Sequence, residues 1–227
     1  MSGIGSALAR VRDKHRKGLF GLWAWERLTS ALGRLGLRLH LSVIYREGTR
    51  PDDPPDLLLT DCSISFSTPD DIAEIAAVEA YPISVDELRE RFERGAECYL
   101  LRHRGKIVAF TWCEAGGAPR PRLGLKFGPE DVYLFDAHTA PSFRGLNLLP
   151  FLRYHLYRDL HHRGYRNLLS STVCFNRPAH RFKQKLGALP EKMTLYLSLF
   201  SRLERVFVVW RFRSGHSGQH VAKQPVE

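Results

Sequence analysis

Between Asp131 and Phe200 the chain alternates strand-like and helix-like patterns without a break. Asp131 to Thr139 reads as a strand, and Leu148 to Arg163 as a helix stopped by Gly164. Asn167 to Cys174 reads as a second strand, Pro178 to Leu186 as a second helix, and Lys192 to Phe200 as a third strand. Each helix carries the chain back to the end of the sheet where the previous strand began. Two such crossovers in succession therefore predict locally parallel pairing, which excludes a pure meander. Elsewhere the signals are those of hairpins. Glu97–Arg102 and Lys106–Cys113 flank the turn His103-Arg104-Gly105, and Val206 to Phe212 follows the third strand across a polar turn.

Upstream of the hairpins, Ser63 to Ser67 reads as a short strand. Thr68-Pro69-Asp70-Asp71 then gives a hydroxyl cap, a proline at the first helical position and acids at the positive dipole end. Ser84 caps a further helix, with Glu87 three residues on. Residues 116–129 read as loop. Before all this, residues 5–36 have loosely helical apolar spacing and Leu37 to Tyr45 alternates as a strand. Thr49 to Pro55 reads as a linker. The expected organisation is an N-terminal helical arm and strand over 1–55, a domain over 62–212 and a flexible tail over 213–227. The expected fold class is α/β (α+β), a mixed, mostly antiparallel twisted sheet of about six to seven strands flanked by about four helices.

Charge narrows the partners. The net +10 is unevenly spread: residues 1–50 hold 10 basic and 3 acidic side chains, residues 51–143 hold 9 and 17, and residues 144–227 hold 15 and 4. A basic final third calls for an anionic partner, whether nucleic acid, membrane, phosphorylated cofactor or acidic substrate. No recognition helix or aromatic stacking motif supports nucleic acid. The longest strongly apolar run, Val206 to Trp210, is far short of the roughly 20 residues of a spanning helix. Cys62, Cys98, Cys113 and Cys174 are far apart and suit reduced thiols rather than a zinc site or disulfide framework. Arg10, Arg12, Lys14, Arg16 and Lys17 interrupt any signal-peptide core, so the expected location is the cytoplasm.

The chemistry concentrates in Tyr133-Leu-Phe-Asp-Ala-His-Thr-Ala-Pro-Ser-Phe-Arg-Gly-Leu-Asn-Leu-Leu149. A strand ends, a turn passes through Arg144-Gly145, and a helix begins. Amides at such a helix start lack intrahelical acceptors and, with the dipole behind them, can cradle a pyrophosphate. An ordinary strand-to-helix loop with one glycine would read the same way.

The stretch from Val132 to Ala188 resembles the acyl-CoA-dependent N-acyltransferases of the GNAT superfamily, and the element order extends the resemblance to about 62–212. It rests on Thr139 and Pro141, on Arg144 to Leu149, on the helix closed by Gly164, on Leu168 to Val173, and on Asn176-Arg177-Pro178-Ala179 leading to Gly187-Ala188. Three positions depart from the family pattern. Asn147 and Leu149 stand where its phosphate loop has small residues, Lys183 stands where many members place a tyrosine that protonates the departing thiolate, and Ala188 replaces a phenylalanine.

The resemblance implies acetyl-CoA, or another acyl-CoA, as co-substrate and a small-molecule amine as acceptor, such as an amino sugar or amino acid derivative, with no metal. It implies that pantetheine pairs with Ala137, His138 and Thr139, and that the amides of Gly145, Leu146, Asn147, Leu148 and Leu149 hold the pyrophosphate with help from Arg144. Asn176 would lie near the pantetheine arm, and Arg177, Arg181, Lys183 and Lys185 would face the 3′-phosphate or simply solvent. Direct attack by an amine needs a base. The family's frequent base position matches Tyr133. Asp136 and His138 are chemically better bases, but period-two alternation puts Tyr133, Phe135, Ala137 and Thr139 on one face and Val132, Leu134, Asp136 and His138 on the other. A bulge would bring either into a cleft. The acceptor side is expected to draw on Tyr81, Glu87, Arg91, Trp112, Glu114, Arg120, Arg122 and Lys126.

A second reading is a non-catalytic scaffold or membrane-surface protein on the same fold with a degraded cofactor site. Its motive is the arm, where Phe20, Trp23 and Trp25 follow the basic cluster. Residues 5–36 would then pack on the domain, on a second copy in a homo-oligomer, or on an anionic membrane.

Overall fold

The computed structural model describes residues 19–48, 54–116 and 119–212. The basic cluster Arg10 to Lys17, most of the 49–55 linker and the tail from Ser214 lie outside the described residues. Helix α1 (Phe20–Arg34) leads into strand β1 (Leu37–Glu47). Strand β2 (Cys62–Phe66), helices α2 (Ile72–Ala76) and α3 (Val85–Glu93), and the hairpin β3 (Glu97–His103) and β4 (Lys106–Ala115) follow. The remainder runs β5 (Asp131–Thr139), α4 (Leu148–His162), β6 (Asn167–Val173), α5 (Arg177–Lys185), β7 (Leu189–Leu199) and β8 (Leu203–Arg211). All eight strands form one sheet, in the order β2-β3-β4-β5-β6-β1-β7-β8.

The N-terminal strand is the main departure from expectation. Rather than standing outside the domain, β1 pairs antiparallel with β6 (Ser42 opposite Val173) and with β7 (Leu37 opposite Leu199). Its burial explains the placement, for Val43, Ile44 and Tyr45 each keep less than a tenth of their surface exposed. A strand so apolar on both faces needs neighbours on both edges as well as cover above and below. The first crossover does give a parallel pair, β5 with β6 from Asp131–Asn167 to Leu134–Ser170. The second does not, because β1 lies between β6 and β7. The last hairpin is also longer than its sequence suggests, since β7 opens at Leu189 and β8 at Leu203.

Helix α4 packs Leu148, Leu152, Leu156 and Leu160 against Val132, Leu134 and Leu168 on one face of the sheet. On the other face α2 and α3 set Ile72, Ile75 and Leu88 against Leu100, Phe110 and Trp112. The α3 start forms as its sequence predicts, with the Glu87 amide donating to the Ser84 hydroxyl at 3.2 Å.

A fully buried carboxylate, that of Glu47, lies at the end of β1. Lys183 of α5 and Tyr157 of α4 donate to its carboxylate, and Arg153 of α4 lies 3.4 Å away. Burial alone would push this carboxyl up, but Lys183 and Arg153 outweigh it and hold it down at about 2. A carboxylate with a depressed folded pKa stabilises above its unfolded value, 4.5, and loses that contribution as pH falls from there through about 2. Glu47→Gln would leave two buried cations without their counter-charge, at a cost of about 3–5 kcal/mol. Urea unfolding at neutral pH should show that loss, and the gap between the two proteins should close as the pH is taken below 4.5. Because β1 lies inside the sheet, a chain beginning at residue 49 should fail to give a cooperative thermal transition by circular dichroism.

Candidate active site

Strands β5 and β6 part company at Leu134 and Ser170, where their parallel ladder ends. Both continue: β5 runs on to Thr139 beside β4, and β6 to Val173 beside β1. Between them a wedge opens, with the β5 backbone unpaired on that side from Phe135 onward. On the face away from α4, the hydroxyls of Tyr133 and Ser171 share a 2.7 Å hydrogen bond near the root of the wedge.

The wedge leads to the start of α4. Pro141–Phe143 makes one tight turn, Gly145 takes φ +88°, and Asn147 takes φ +56° before Leu148 begins the helix. Two left-handed residues in such a short span turn successive amides the same way. Among the described residues, the amides of Gly145, Leu146, Asn147, Leu148 and Leu149 have no acceptor. Pro150, which has no N–H, ends the series at the third helical position, a detail sequence inspection passed over. A cleft of about 590 Å³ faces this turn, walled by Thr139, Phe143 and Arg144 on one side and Pro178, Arg181, Phe182 and Lys185 of α5 on the other. Leu149 reaches the cleft wall but also packs on the core beneath α4, so its bulk is largely accommodated. Arg144, Arg181 and Lys185 have no acidic partner among the described residues; Arg144 Nε donates only to the Thr139 carbonyl, at 3.3 Å. Free amides and unpaired cations around one cleft form a site for an anion with several charges.

One expected binder is elsewhere. Lys183 is 5% exposed, tied to Glu47, and absent from the cleft wall, so it is neither a surface lysine nor a phosphate contact. Asn176 caps α5, its side-chain oxygen accepting from the Ala179 amide at 3.2 Å.

The bulge does form. Phe110 opposes His138 and Trp112 opposes Phe135, so Asp136 and Ala137 together face Thr111. Asp136 takes φ +48° at this point. The extra residue reverses the alternation and carries Asp136 and His138 onto the face that holds Tyr133 and Phe135. There Tyr81 Oη and Arg91 Nη1 both donate to Asp136 Oδ2, at 2.6 and 2.5 Å. Oδ1 has no partner among the described residues, and the side chain is about 30% exposed. Arg91 also meets Glu87 at 3.1 Å and lies over the rings of Trp112 and Phe135. Burial and the donated bond to Asp136 hold the Tyr81 hydroxyl well above its ordinary range.

His138 stacks on Phe110, lies 5.2 Å from the Tyr81 ring, and has Nε2 2.9 Å from the Glu79 carbonyl. A carbonyl only accepts, so Nε2 is the donor, and Nδ1 has no partner among the described residues. The Glu79 carboxylate meanwhile accepts from the Ser142 hydroxyl at 2.8 Å, which ties the loop after α2 to the turn before α4. Tyr133 is 6% exposed and its phenol is raised by burial, which makes it a poor base. Arg120 lies 4.2 Å over its ring and pairs with Glu114. Of the other residues expected on the acceptor side, Trp112 is fully buried beneath Arg91, and Arg122 turns away to the Tyr196 ring.

By sequence, no protein-family model and no curated protein matches the chain. Solved structures do. A GNAT-family protein from Novosphingobium aromaticivorans superposes with a TM-score of 0.52 at 16% identity, over 72% of this chain and 66% of that one. The fold is that of the GNAT superfamily. A GNAT-family acetyltransferase from Colwellia psychrerythraea gives 0.52 at 15% identity, over 72% of this chain and 57% of that one. A tandem GNAT protein from the clavulanic acid biosynthesis pathway gives 0.53 at 14%, over 71% and 54%. The matched region thus spans two thirds or less of each of these proteins. In this GNAT fold the left-handed turn at Asn147 does what a glycine would do. Asn147→Gly should therefore leave the melting temperature unchanged or slightly raised, whereas Asn147→Val, β-branched at φ +56°, should cost about 1–2 kcal/mol in thermal unfolding.

Proposed function

We propose that the protein is an acyl-CoA-dependent N-acyltransferase acting on a small polar amine. The observation that carries this is the coincidence of three things at one place: the end of the β5–β6 ladder, five unpaired amides at the start of α4, and a cation-lined cleft beside them. The residues present fit coenzyme A. The unpaired β5 backbone from Phe135 to Thr139 would take the pantetheine amides as a neighbouring strand would. The amides of Gly145 to Leu149 would hold the pyrophosphate, and Arg144, Arg181 and Lys185 would neutralise the remaining phosphate charge. When bound, coenzyme A supplies the activated acyl group as a thioester.

The chain's own groups divide the rest of the work. Asp136 Oδ1, open toward the wedge, would anchor the ammonium of the acceptor, while Arg91 and Tyr81 keep the carboxylate oriented through Oδ2. His138 Nδ1, with its ring fixed by stacking and by the Glu79 carbonyl, would take the proton as the amine attacks. Asp136, Glu87 and Glu114 are three carboxylates among two guanidiniums, Arg91 and Arg120, and that balance favours a cationic acceptor with further polar groups. Lys183 has no part as an acid, since it is sealed from the cleft.

Calorimetric titration with coenzyme A and with its dephospho form, followed by thiol release from acetyl-CoA across a panel of amino sugars and amino acids, tests the reading. Binding should occur, and Arg181→Glu with Lys185→Glu should weaken it roughly tenfold or more without changing the melting temperature. His138→Ala should lower kcat about 10²–10⁴-fold. Asp136→Asn should act mainly on the acceptor's KM. Absence of coenzyme A binding defeats the proposal; binding without turnover of any acyl-CoA leaves only the scaffold.

A further inference from the structure

Across β1, β7 and β8, residues directly opposite one another share a face of the sheet. On one face the rows read Leu37-Leu199-Leu203, Leu39-Leu197-Arg205, Leu41-Leu195-Phe207 and Val43-Met193-Trp210. All but Arg205 are apolar. Cover thins from the inner strand outward. Val43 is buried and Leu37, Leu39 and Leu41 are half-buried beside α1, whereas Leu203, Phe207 and Trp210 are 45%, 51% and 61% exposed. At one end of the patch Phe200 stands 66% exposed on the β7–β8 turn. No role in coenzyme or acceptor binding accounts for this surface, which lies at the opposite side of the sheet from β2.

Its charges indicate the occupant. Arg205 stands in the patch and Arg202 on the turn beside it, and neither has an acidic partner among the described residues; Arg205 donates only to the neighbouring Glu204 carbonyl, while Arg211, opposite Lys192, lies on the other face of the edge strand. Glu204 lies on the other face, held by the Tyr196 hydroxyl, and Glu191 is taken by Arg46. A second copy docked edge to edge would bring two uncompensated arginines from each chain to one seam. The β8 edge is also poorly shaped for strand addition, because the ladder with β7 slips at Val209, between Thr194–Val208 and Met193–Trp210. Aromatic and aliphatic side chains within a rim of unpaired arginines instead match the boundary between headgroups and acyl chains of an anionic bilayer. No helix among the described residues is long and apolar enough to cross one. We propose that the β7–β8 hairpin is a membrane-docking surface that seats the protein peripherally on anionic phospholipid, with Phe207 and Trp210 entering the interface and Arg202 and Arg205 meeting the headgroup phosphates.

The test is flotation of the full chain with phosphatidylcholine vesicles, with and without phosphatidylglycerol, at low and high salt. Partitioning should require the anionic lipid and fall with salt. The exposed-site variant F207S/W210S and the charge variant R202A/R205A should each weaken it, the latter roughly thirtyfold at low salt. Both variants should keep the wild-type melting temperature. Trp210 emission, taken as the difference between the wild type and W210F, should shift to the blue on anionic vesicles. Equal partitioning onto neutral lipid, no partitioning, or retention of binding by both variants overturns the proposal. So does analytical ultracentrifugation showing a dimer that F207S/W210S dissociates while vesicle binding is unaffected, since the patch then belongs to a second copy.

Discussion

The carboxylate of Glu47 joins three elements in one buried cluster: β1, which carries it, α4, which supplies Tyr157 and Arg153, and α5, which supplies Lys183. Two of those elements also build the cleft. Helix α4 presents the free amides at its start, and α5 presents Arg181 and Lys185 across from them. Their separation is set from behind, by a buried charge cluster, rather than by anything in the cleft itself. A buried ion pair seldom adds net stability over an apolar substitute, but it does penalise any arrangement in which a partner is missing. Here that penalty fixes register. The helices can meet β1 in one way only, and the cleft width follows.

A second constraint acts at the other end of the site. One residue inserted into β5 turns Asp136 and His138 from the α4 side to the face shared with Tyr81 and Arg91. The cost is a left-handed aspartate, a conformation that Asp tolerates better than most residues. The return is a carboxylate and an imidazole on the acceptor side of the wedge, each with one atom committed to the protein and one left open. The open groups of β5 and the unpaired amides at the start of α4 are therefore joined by one short turn, yet lie on different sides of the sheet.

Much of this was legible in the sequence, because the local signals were strong. The hairpin at His103-Arg104-Gly105, the Ser84 cap, the strand–helix crossover and the turn before α4 all formed where their residues predicted. What could not be read was long-range. Nothing local distinguishes a strand in an arm from one in the middle of a sheet, although the unbroken run Val43-Ile44-Tyr45 hinted at burial on both faces. Lys183 looked like one of several lysines and arginines on a basic helix; only its counterpart Glu47, far away in sequence, makes it a core residue. The alternation rule misassigned the faces of β5 beyond Phe135, since a bulge is a pairing event and leaves almost no mark in the strand that carries it. Pro150 and Glu79 were in plain view but acquire meaning only beside the turn they shape.

The position of β1 has a consequence for how the chain comes to be folded. Its residues are made long before those of either hydrogen-bonding neighbour, β6 or β7. Until then β1 exposes two unpaired edges and an apolar run, the features that draw nascent chains into wrong pairings. Closure of the sheet waits on contacts between strands far apart in sequence, a topology that folds slowly because the longest loops must be closed last. Strands β2, β3 and β4 with their helices can assemble early as a local unit, but the wedge and the cleft exist only once β1 is captured between β6 and β7. The cleft is thus finished by a strand made well before it and a strand made after its own residues.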